Sequence, residues 1–321
     1  MLKVPKLQGE KILVTGPAGQ IAAPMCAYLA EHNDVWGIAR FSVPGSRDEV
    51  EAMGVTTRVV DLAQADFGDL PQDFTYVLHL AAAIGQSPDY DESLRVNAEA
   101  TGLLLTHCRS AKAALVMSTA SVYKPDADPR HLYIETDPLG EAVLPSVPTY
   151  SISKIAEEAV ARFCARSLGL PVTIARMNAA YSARGGLPAY HLDAIVAGKP
   201  VTVRHDPCPY SPIHQDDINE QVAAMLGAAS VPATIVNWGG DDPVGPQDWC
   251  AEFAKLTGKP ADLVVQTVPG SQIGNSLDNT KRMAITGPCR VRFPDGFRRL
   301  YEARYPNGVD GGIAGMSNPL A

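Results

Sequence analysis

Thr15-Gly-Pro-Ala-Gly-Gln-Ile-Ala22 is a glycine-rich turn that directly follows a short apolar run beginning at Lys11. A helical pattern comes after the turn, so the predicted order is strand, tight turn and helix. Gly16 and Gly19 permit the turn and the close approach of a pyrophosphate, whose charge suits the first N–H groups of the helix. A tight turn that holds no ligand is the alternative for this pattern taken alone.

Tyr150-Ser-Ile-Ser-Lys154 places a phenol and an ammonium four residues apart on one face of a predicted helix. Free tyrosine has a pKa of about 10, whereas a useful base needs a pKa closer to about 7. The difference of about 3 pKa units corresponds to about 4 kcal/mol of preferential stabilisation of the phenolate. Lys154 supplies part of it, and a positively charged nicotinamide ring would supply more. Ser118-Thr-Ala-Ser-Val-Tyr123 ends a predicted strand with hydroxyls that orient a substrate oxygen toward Tyr150. Together with the glycine turn, this pair predicts a nicotinamide cofactor beside a tyrosine acid/base, although an ordinary helical pair is the alternative in isolation.

Apolar runs alternate with helical patterns over the first 180 residues. Strands are predicted at 11–15, 35–39, 57–60, 76–80, 114–117 and 172–175, and the clearest helix at 93–110. This alternation is typical of an α/β fold and predicts a Rossmann-type doubly wound parallel sheet. Residues 1–180 are predicted to form the NAD(P)-binding Rossmann domain. Residues 181–305 are predicted to form mainly a smaller C-terminal substrate-binding lobe, with a return strand near Ile235, and residues 306–321 a flexible tail.

The end of the second predicted strand bears on the choice of cofactor. An acidic residue there would hydrogen-bond the adenosine ribose, but this chain has Ala39 followed by Arg40. A guanidinium without a carboxylate favours a 2′-phosphate, with Arg47 as an assisting group, so NADP(H) is the favoured cofactor and NAD(H) the alternative. Asp61-Leu62 is placed to meet the adenine edge, and the small residues of His79-Leu-Ala-Ala-Ala83 let the cofactor pass over the strand ends. A solvated surface charge at Arg40, and packing by the alanines, are the alternatives.

Composition limits the classes of partner. The chain has a formal net charge of −8, 46% apolar residues and no basic run, which argues against nucleic acid or an anionic membrane as the main partner. Six cysteines at irregular spacing form no Cys-x-x-Cys pair, which is typical of reduced thiols in a cytoplasmic protein. No apolar run suits a signal peptide or a membrane span, so neither is expected.

No metal site is predicted. The seven histidines show no metal-binding spacing. His205, Cys208 and His214 are close in sequence, but loop positions near a substrate pocket fit them better than a zinc site. Asp216 and Asp217 are interpreted as a helix N-terminal cap rather than a metal-binding pair.

The motifs together resemble those of the extended short-chain dehydrogenase/reductases, the NAD(P)-dependent epimerase/dehydratase family. The resemblance runs from about Lys11 to Tyr305. It is carried by the two motifs above and by Asp61-Leu62, His79 to Ala83, Val96-Asn97-Ala-Glu-Ala-Thr-Gly102, Ser118 to Tyr123 and Pro212-Ile-His-Gln-Asp-Asp217. It implies four catalytic residues: Tyr150 as acid/base, Lys154 as its tuner and as a holder of the nicotinamide ribose, Thr119 as substrate orienter, and Asn97 as a supporting helix residue.

The resemblance also assigns binding roles. A homodimer is implied, through the two helices that contain Asn97 and Tyr150. Ser121, Tyr181 and His191 are expected to contact a small-molecule substrate, with packing or surface roles as the alternative for the last two. The residues expected to bind the cofactor are Gly16, Gly19, Gln20, Ile21, Arg40, Asp61, Leu62, Leu80, Ala81, Ala82, Tyr150, Lys154, Met177 and Ala180.

Two departures from the family pattern bear on the substrate. Members that act on nucleotide-sugars resemble one another in Arg-x-x-Asn-x-Tyr-Gly-Pro-Arg, where this chain reads Arg176-Met-Asn-Ala-Ala-Tyr-Ser-Ala-Arg184. The asparagine that holds the diphosphate falls on Ala179, and an arginine expected four residues before His214 falls on Tyr210. Losing an amide and a guanidinium makes a nucleotide-sugar less favoured, unless Asn178 and Arg184 compensate.

Three functions follow. The first is an NADP(H)-preferring dehydrogenase or reductase that moves hydride between nicotinamide and a carbonyl or secondary alcohol carbon, with Tyr150 passing the proton. The alternative is an epimerase or dehydratase that uses the same hydride step and regenerates its cofactor in place. The third, from another class, is a redox-sensing nucleotide-binding protein without chemistry.

Overall fold

The computed structural model describes residues 7–64, 66–85 and 88–309. Its strands are β1 (Lys11–Thr15), β2 (Asp34–Ala39), β3 (Thr56–Val59), β4 (Tyr76–His79), β5 (Ala113–Thr119), β6 (Leu132–Tyr133), β7 (Val172–Met177), β8 (Ala180–Tyr181), β9 (Val201–Val203), β10 (Ile213–His214), β11 (Thr234–Trp238), β12 (Leu263–Val265) and β13 (Ser276–Leu277). Its helices are α1 (Ala22–Ala30), α2 (Ser46–Glu51), α3 (Tyr90–Leu94), α4 (Ala100–His107), α5 (Tyr150–Leu168), α6 (Leu187–Val196), α7 (Gln215–Gly227), α8 (Pro246–Thr257), α9 (Thr280–Thr286) and α10 (Asp295–Arg304). A π-helical turn, Arg95–Glu99, joins α3 to α4, and a 3-10 turn, Ala120–Val122, follows β5.

Seven strands form one parallel sheet in the order β11-β7-β5-β4-β1-β2-β3. β5 and β7 are buried along their whole length, which explains why they read as near-continuous apolar runs in the sequence. The strand order reverses between β1 and β4, and ligands of doubly wound folds bind at the carboxyl ends of the strands at such a point. The predicted parallel sheet is confirmed, and the strand expected near Ile235 is β11, which pairs with β7.

Helices cover both faces of the sheet and bury a separate apolar core on each. On one face, Met25 of α1 and Val222 of α7 belong to the same core as Ile12 of β1. On the other face, Leu104 of α4 and Ala161 of α5 share a core with the alternate side chains of the same strands. Because both faces are covered, the strand ends are the part of the sheet left open to a ligand.

A smaller lobe is built from α6, α8 and α10, which pack around Trp249, Phe253 and Phe297. α7 and β11 lie between these helices in sequence but pack on or in the sheet, so the lobe is discontinuous in the chain. The tail that was predicted to be flexible lies, from residue 310 onward, outside the described residues.

None of the helices in the described residues combines the length and apolar character needed to cross a membrane.

Candidate active site

A cavity of about 600 Å³, here called the first cavity, opens at the carboxyl edge of the sheet where the strand order reverses. The glycine turn forms part of its wall. Gly16 has a φ of +65°, and a Cβ there would approach Ala81 Cα to 3.2 Å, so only glycine meets both conditions without strain. The volume falls within the roughly 300–1,000 Å³ of ordinary ligand sites. The residues present therefore fit a dinucleotide.

Most residues expected to bind the cofactor line the first cavity. Four of the fourteen expected residues are not among its lining residues, namely Tyr150, Lys154, Met177 and Ala180, and their contacts with a cofactor stay a prediction. Arg47 donates to Glu51 at 2.9 Å and to Thr57 at 2.8 Å, so its guanidinium is held along α2. Met177 and Ala180 are buried and do not line the first cavity; the Ala180 carbonyl accepts instead from Gln20 Nε2 at 3.1 Å. The residues placed as expected are Gly16, Gly19, Gln20, Ile21, Arg40, Asp61, Leu62, Leu80, Ala81 and Ala82.

Thr15, at the end of β1, holds the segment that follows β4. Its Oγ1 accepts from the backbone N–H groups of residues 80 and 81, both at 3.0 Å, so its own proton goes to Nδ1 of His79, 2.9 Å away. His79 then carries its proton on Nε2 and donates it to Thr101 at 2.8 Å. Burial lowers the pKa of His79 to about 3, so the imidazole is neutral at physiological pH. His79 thus positions the wall of the first cavity, a role that its place in the sequence motif alone does not reveal.

The predicted catalytic side chains come together at the carboxyl end of β5. Thr119 is the last residue of this strand, and the half-buried Tyr150 is the first residue of α5. Lys154 is only 1% exposed, and its Nζ donates to the Met117 carbonyl at 2.7 Å. The same ammonium forms an ion pair with the carboxylate of Glu157. Lys154 is therefore held inside the protein by two oxygen partners.

The pKa of Tyr150 is set by opposing influences. Burial raises it, the Lys154 ammonium lowers it, the Glu157 carboxylate raises it again and the Thr119 hydroxyl lowers it, and the net direction is upward. The expected depression by Lys154 is thus present but outweighed, because burial disfavours the charged phenolate. A base of useful strength at this position needs the additional positive charge of a bound nicotinamide.

Glu157 was not among the residues expected in the site. It lies one helical turn after Lys154 and is fully buried, with His79 Nε2 at 3.6 Å from its Oε1. Burial raises the pKa of this carboxyl from 4.5 to about 7, although Lys154 opposes the rise. The signal was available in the sequence, since an i+3 acid shares a helix face with Lys154. Its effect is to offset part of the charge that Lys154 presents to Tyr150.

Replacing Glu157 with Gln is expected to flatten the pH dependence of stability between about pH 4.5 and 7. The folded-state pKa lies above the unfolded value, so the folded chain binds this proton more tightly and loses stability as pH rises through that window, by at most about 3 kcal/mol. Urea denaturation at several pH values measures it. Glu99→Gln, at an exposed position on the same side of the sheet, is the matched control. Its free energy of unfolding should depend on pH as that of the wild type does.

Asn97 supports the site without touching it. It lies in the π-helical turn, where its Oδ1 accepts from Ala83 N at 2.7 Å and its Nδ2 donates to Ser153 Oγ at 2.9 Å. It therefore links the wall of the first cavity to the first turn of α5. The helix predicted at 93–110 is present, because α3, the π-turn and α4 run without a break from Tyr90 to His107. What the sequence did not predict is the π-turn within it, a feature frequent at functional sites. The contacts of Asn97 with Ala83 and Ser153 are those of a supporting residue, which is the role that the resemblance implies for Asn97 and which stays a prediction.

A second cavity, of about 260 Å³, is lined by residues of the smaller lobe and by residues close to the end of β5 in sequence. Ser121 and His191 line it, as expected of substrate-binding residues. Tyr181 does not: it is 2% exposed and stacks on Phe297 with ring centroids 4.7 Å apart. Tyr181 therefore packs in the core of the lobe.

The acidic pair in the first turn of α7, Asp216 and Asp217, has a different role from the predicted cap. His214 is the N-cap residue, and its Nδ1 accepts from Asp216 N at 3.2 Å. Asp217 instead accepts from the backbone N–H groups of Arg290 at 2.7 Å and Val291 at 3.1 Å, so it anchors the segment before α10. Residues 7–64, 66–85 and 88–309 contain no group of three or more His, Cys, Asp or Glu side chains placed to hold a metal.

Comparison with known families identifies the chain. The model of the NAD dependent epimerase/dehydratase family matches residues 12–239, well over half of the sequence. The chain belongs to this family. Among curated proteins, no relative matches.

Solved structures of nucleotide-sugar enzymes share the fold. UDP-glucuronic acid 4-epimerase from Bacillus cereus, in complex with UDP-glucuronic acid and NAD, is 23% identical, with 91% of this chain and 98% of that chain covered and a TM-score of 0.77. UDP-glucose 4-epimerase from Thermus thermophilus, in complex with NAD, is 24% identical, with 94% and 98% covered and a TM-score of 0.76. UDP-glucose 4-epimerase from Thermotoga maritima, with UDP-glucose, is 20% identical, with 94% and 98% covered and a TM-score of 0.76. At this identity the likeness establishes the architecture.

The family assignment favours the epimerase or dehydratase alternative over net oxidation or reduction. It confirms an enzyme family of the extended short-chain dehydrogenase/reductase type that depends on NAD, and it does not confirm a preference for NADP(H). Compensation for the missing diphosphate-binding groups is not found. The Asn178 side chain donates from Nδ2 to the Asn275 carbonyl and accepts at Oδ1 from the N–H groups of Ala179 and Ser211. Arg184 pairs with a glutamate of α2.

Proposed function

We propose that the chain is an NAD(P)-dependent epimerase or dehydratase that acts on a secondary alcohol carbon of a small polyhydroxylated substrate. The observation that carries the proposal is the convergence of Thr119, Tyr150 and Lys154 at the carboxyl end of β5. This strand pairs with β4, and the residues that follow β4 line the first cavity, whose glycine turn fits a dinucleotide. When bound, the nicotinamide supplies hydride acceptance from the substrate carbon and hydride return to it. Family membership supports return within the same site rather than release of a reduced cofactor.

The protein residues divide the proton chemistry between them. The Thr119 hydroxyl orients the substrate hydroxyl toward the Tyr150 oxygen, which takes the proton as the carbon loses hydride. On return, Tyr150 gives the proton back to the same oxygen. Lys154 stabilises the phenolate that takes the proton and that is formed again when the proton is returned; between the two steps Tyr150 is the neutral phenol. Asn97, His79 and the Thr15 hydroxyl keep the surrounding backbone fixed.

Nucleotide content after purification tests the proposal. Protein that recycles its cofactor in place is expected to retain close to one NAD(P) per chain through gel filtration, as measured after denaturation. The contact of Gln20 Nε2 with the Ala180 carbonyl, which bridges the glycine turn to the lobe, supports such retention. Protein that emerges free of nucleotide and consumes one added cofactor per product would instead indicate net redox chemistry.

We also propose that NADP(H) is the preferred cofactor. β2 ends at Ala39, and the exposed guanidinium of Arg40 lines the first cavity together with the hydroxyl-bearing residues Ser42 and Ser46. A guanidinium and hydroxyls suit a 2′-phosphate better than a free ribose hydroxyl.

Arg40→Ala is expected to weaken NADPH binding by about 10-fold to 100-fold and to leave NADH binding nearly unchanged, since one charge-assisted contact is lost. Fluorescence titration of both cofactors measures it. Arg47→Ala, whose guanidinium is paired with Glu51, is the matched control. Equal affinity of the wild-type protein for the two cofactors would contradict the NADP(H) proposal. It would not bear on the epimerase or dehydratase proposal.

We propose that two chains pair through α4 and α5. Leu103, Ile152 and Phe163 are apolar and 51%, 49% and 68% exposed. Ile152 and Phe163 are eleven residues apart, about three helical turns, so they share one face of α5.

Phe163→Glu is expected to convert a dimer to a monomer in light scattering after gel filtration, because a carboxylate would be buried in the apolar interface. Val265→Glu, at a 51% exposed position on β12, is the control and should stay dimeric. A monomeric wild type would contradict the pairing.

A further inference from the structure

The second cavity contains one group that selects for charge. Arg204, just after the end of β9, lines it, and neither Asp nor Glu is among its lining residues. Within the described parts of the chain Arg204 has no carboxylate partner in an ion pair, whereas most other buried or half-buried arginines of the chain do. An unpaired guanidinium facing a cavity without acids is a site for an anion.

The charge of Arg204 acts on the cavity wall itself. Burial raises the pKa of the Cys208 thiol and of the Tyr210 phenol, and Arg204 opposes the rise at both. His191 adds no charge there: its Nδ1 accepts from Trp249 Nε1 at 3.0 Å, and burial lowers its pKa to about 4. Arg204 is thus the positive charge that a ligand in the second cavity would meet at neutral pH.

A second observation also points to a ligand. Asn275 lines the same cavity and is 8% exposed. Its backbone is fixed, because its N–H donates to the Pro209 carbonyl at 2.7 Å and its carbonyl accepts from Asn178 Nδ2 at 2.6 Å. Its side-chain Oδ1 is buried and, among the described residues, has no hydrogen-bond donor. An orphaned acceptor of this kind costs about 1–3 kcal/mol unless a ligand or water supplies the donor.

The second cavity does not suit a nucleoside diphosphate. The positions expected to hold a diphosphate carry Ala179 and Tyr210, and neither Asn178 nor Arg184 replaces them. The volume of about 260 Å³ lies just below the range of roughly 300–1,000 Å³ for ordinary ligand sites, which fits a single sugar ring better than a nucleotide-sugar.

The geometry points to a polyhydroxylated substrate that bears one compact anionic group, a carboxylate or a phosphate monoester. Arg204 binds the anionic group, and Asn275 Oδ1 accepts from a substrate hydroxyl. This inference rests on the proposed function, because it takes the second cavity as the place where the substrate of Tyr150 is bound.

Calorimetric titration of the protein saturated with reduced cofactor tests it, with glucuronate, glucose 6-phosphate, glucose and UDP-glucose as probes at constant ionic strength. Glucuronate or glucose 6-phosphate is expected to bind at least about tenfold more tightly than glucose, as one charge-assisted contact requires. The comparison of these two probes separates a carboxylate from a phosphate preference. Arg204→Gln should remove the advantage, and Arg204→Lys should retain part of it. Arg130→Gln, an equal loss of charge at an exposed position, should retain all of it.

Tighter binding of UDP-glucose than of either anionic monosaccharide, or an anionic advantage that survives in Arg204→Gln, would overturn the inference. Cofactor titration of each variant shows whether its fold is intact. The proposed function fails separately: Arg204-dependent binding of an anionic sugar, with no turnover of that sugar when oxidised cofactor is supplied instead, would count against the epimerase or dehydratase activity and in favour of this site.

Discussion

Tyr150→Phe is expected to lower turnover by about 10²-fold to 10⁴-fold, the usual contribution of a positioned general acid/base. The change removes one oxygen from a half-buried ring at the start of α5 and leaves the packing of the ring in place. Without that oxygen, the proton of the substrate hydroxyl has no acceptor when the carbon loses hydride. Cofactor and substrate affinities should change little, because Arg40, the glycine turn and the second cavity remain. Steady-state kinetics and cofactor titration measure the two effects.

Tyr301→Phe, in α10 of the lobe, is the control for loss of a phenolic oxygen and should keep full activity. A Tyr150→Phe enzyme with more than about a tenth of wild-type turnover would contradict the assignment of the acid/base. Wild-type protein that binds nucleotide but converts no substrate, with Tyr150→Phe indistinguishable from it, would favour the redox-sensing protein.

Arg176→Met is expected to destabilise the fold by about 3–5 kcal/mol, because it leaves a buried carboxylate unpaired. Arg176 of β7 is 2% exposed and donates to both oxygens of Glu158 on α5, at 2.9 and 2.7 Å. Glu158 also accepts from Ser118 Oγ at 2.6 Å. These contacts therefore hold α5, which carries Tyr150, onto β7 and β5. Urea denaturation of wild type and variant measures the loss.

The double variant Arg176→Met with Glu158→Met is the informative control. Removing both charges leaves no unpaired ion, so the double variant should be more stable than Arg176→Met alone. A single variant within about 1 kcal/mol of wild type would show that the buried pair does not hold α5. A double variant whose loss equals the sum of two large single losses would contradict the ion-pair explanation.

Much of the sheet could be predicted from sequence because its strands obey a simple rule. A parallel strand that is buried on both faces is apolar along most of its length. The ends of β1 and β5 could also be predicted, because glycine or hydroxyl-bearing residues follow the apolar run at the edge of the sheet where the ligand is expected. The π-turn at Arg95–Glu99 could not be predicted, since helical periodicity does not report the hydrogen bonds of Asn97 with Ala83 and Ser153.

The site was predictable where a motif fixes both backbone and chemistry, as at Gly16 and Tyr150. It was not predictable where tertiary packing chooses between two uses of one side chain. Tyr181 packs in the core of the lobe, where it stacks on Phe297. Arg47 forms an ion pair with Glu51. The anion-binding role proposed for Arg204 could not be predicted from the sequence. A single arginine after a short strand is ordinary, and only the folded chain shows that it lines a cavity without Asp or Glu.

Hydride that leaves the substrate is expected to return to it within the site built around Tyr150. Simultaneous recording of product by proton NMR and of the near-ultraviolet absorbance of reduced nicotinamide distinguishes this return from net redox chemistry. We expect an epimer or a dehydrated product to accumulate over many turnovers while the absorbance change stays below the amount of enzyme present. Product that accumulates in step with an equimolar gain or loss of reduced cofactor would contradict the return of hydride and restore a net dehydrogenase or reductase.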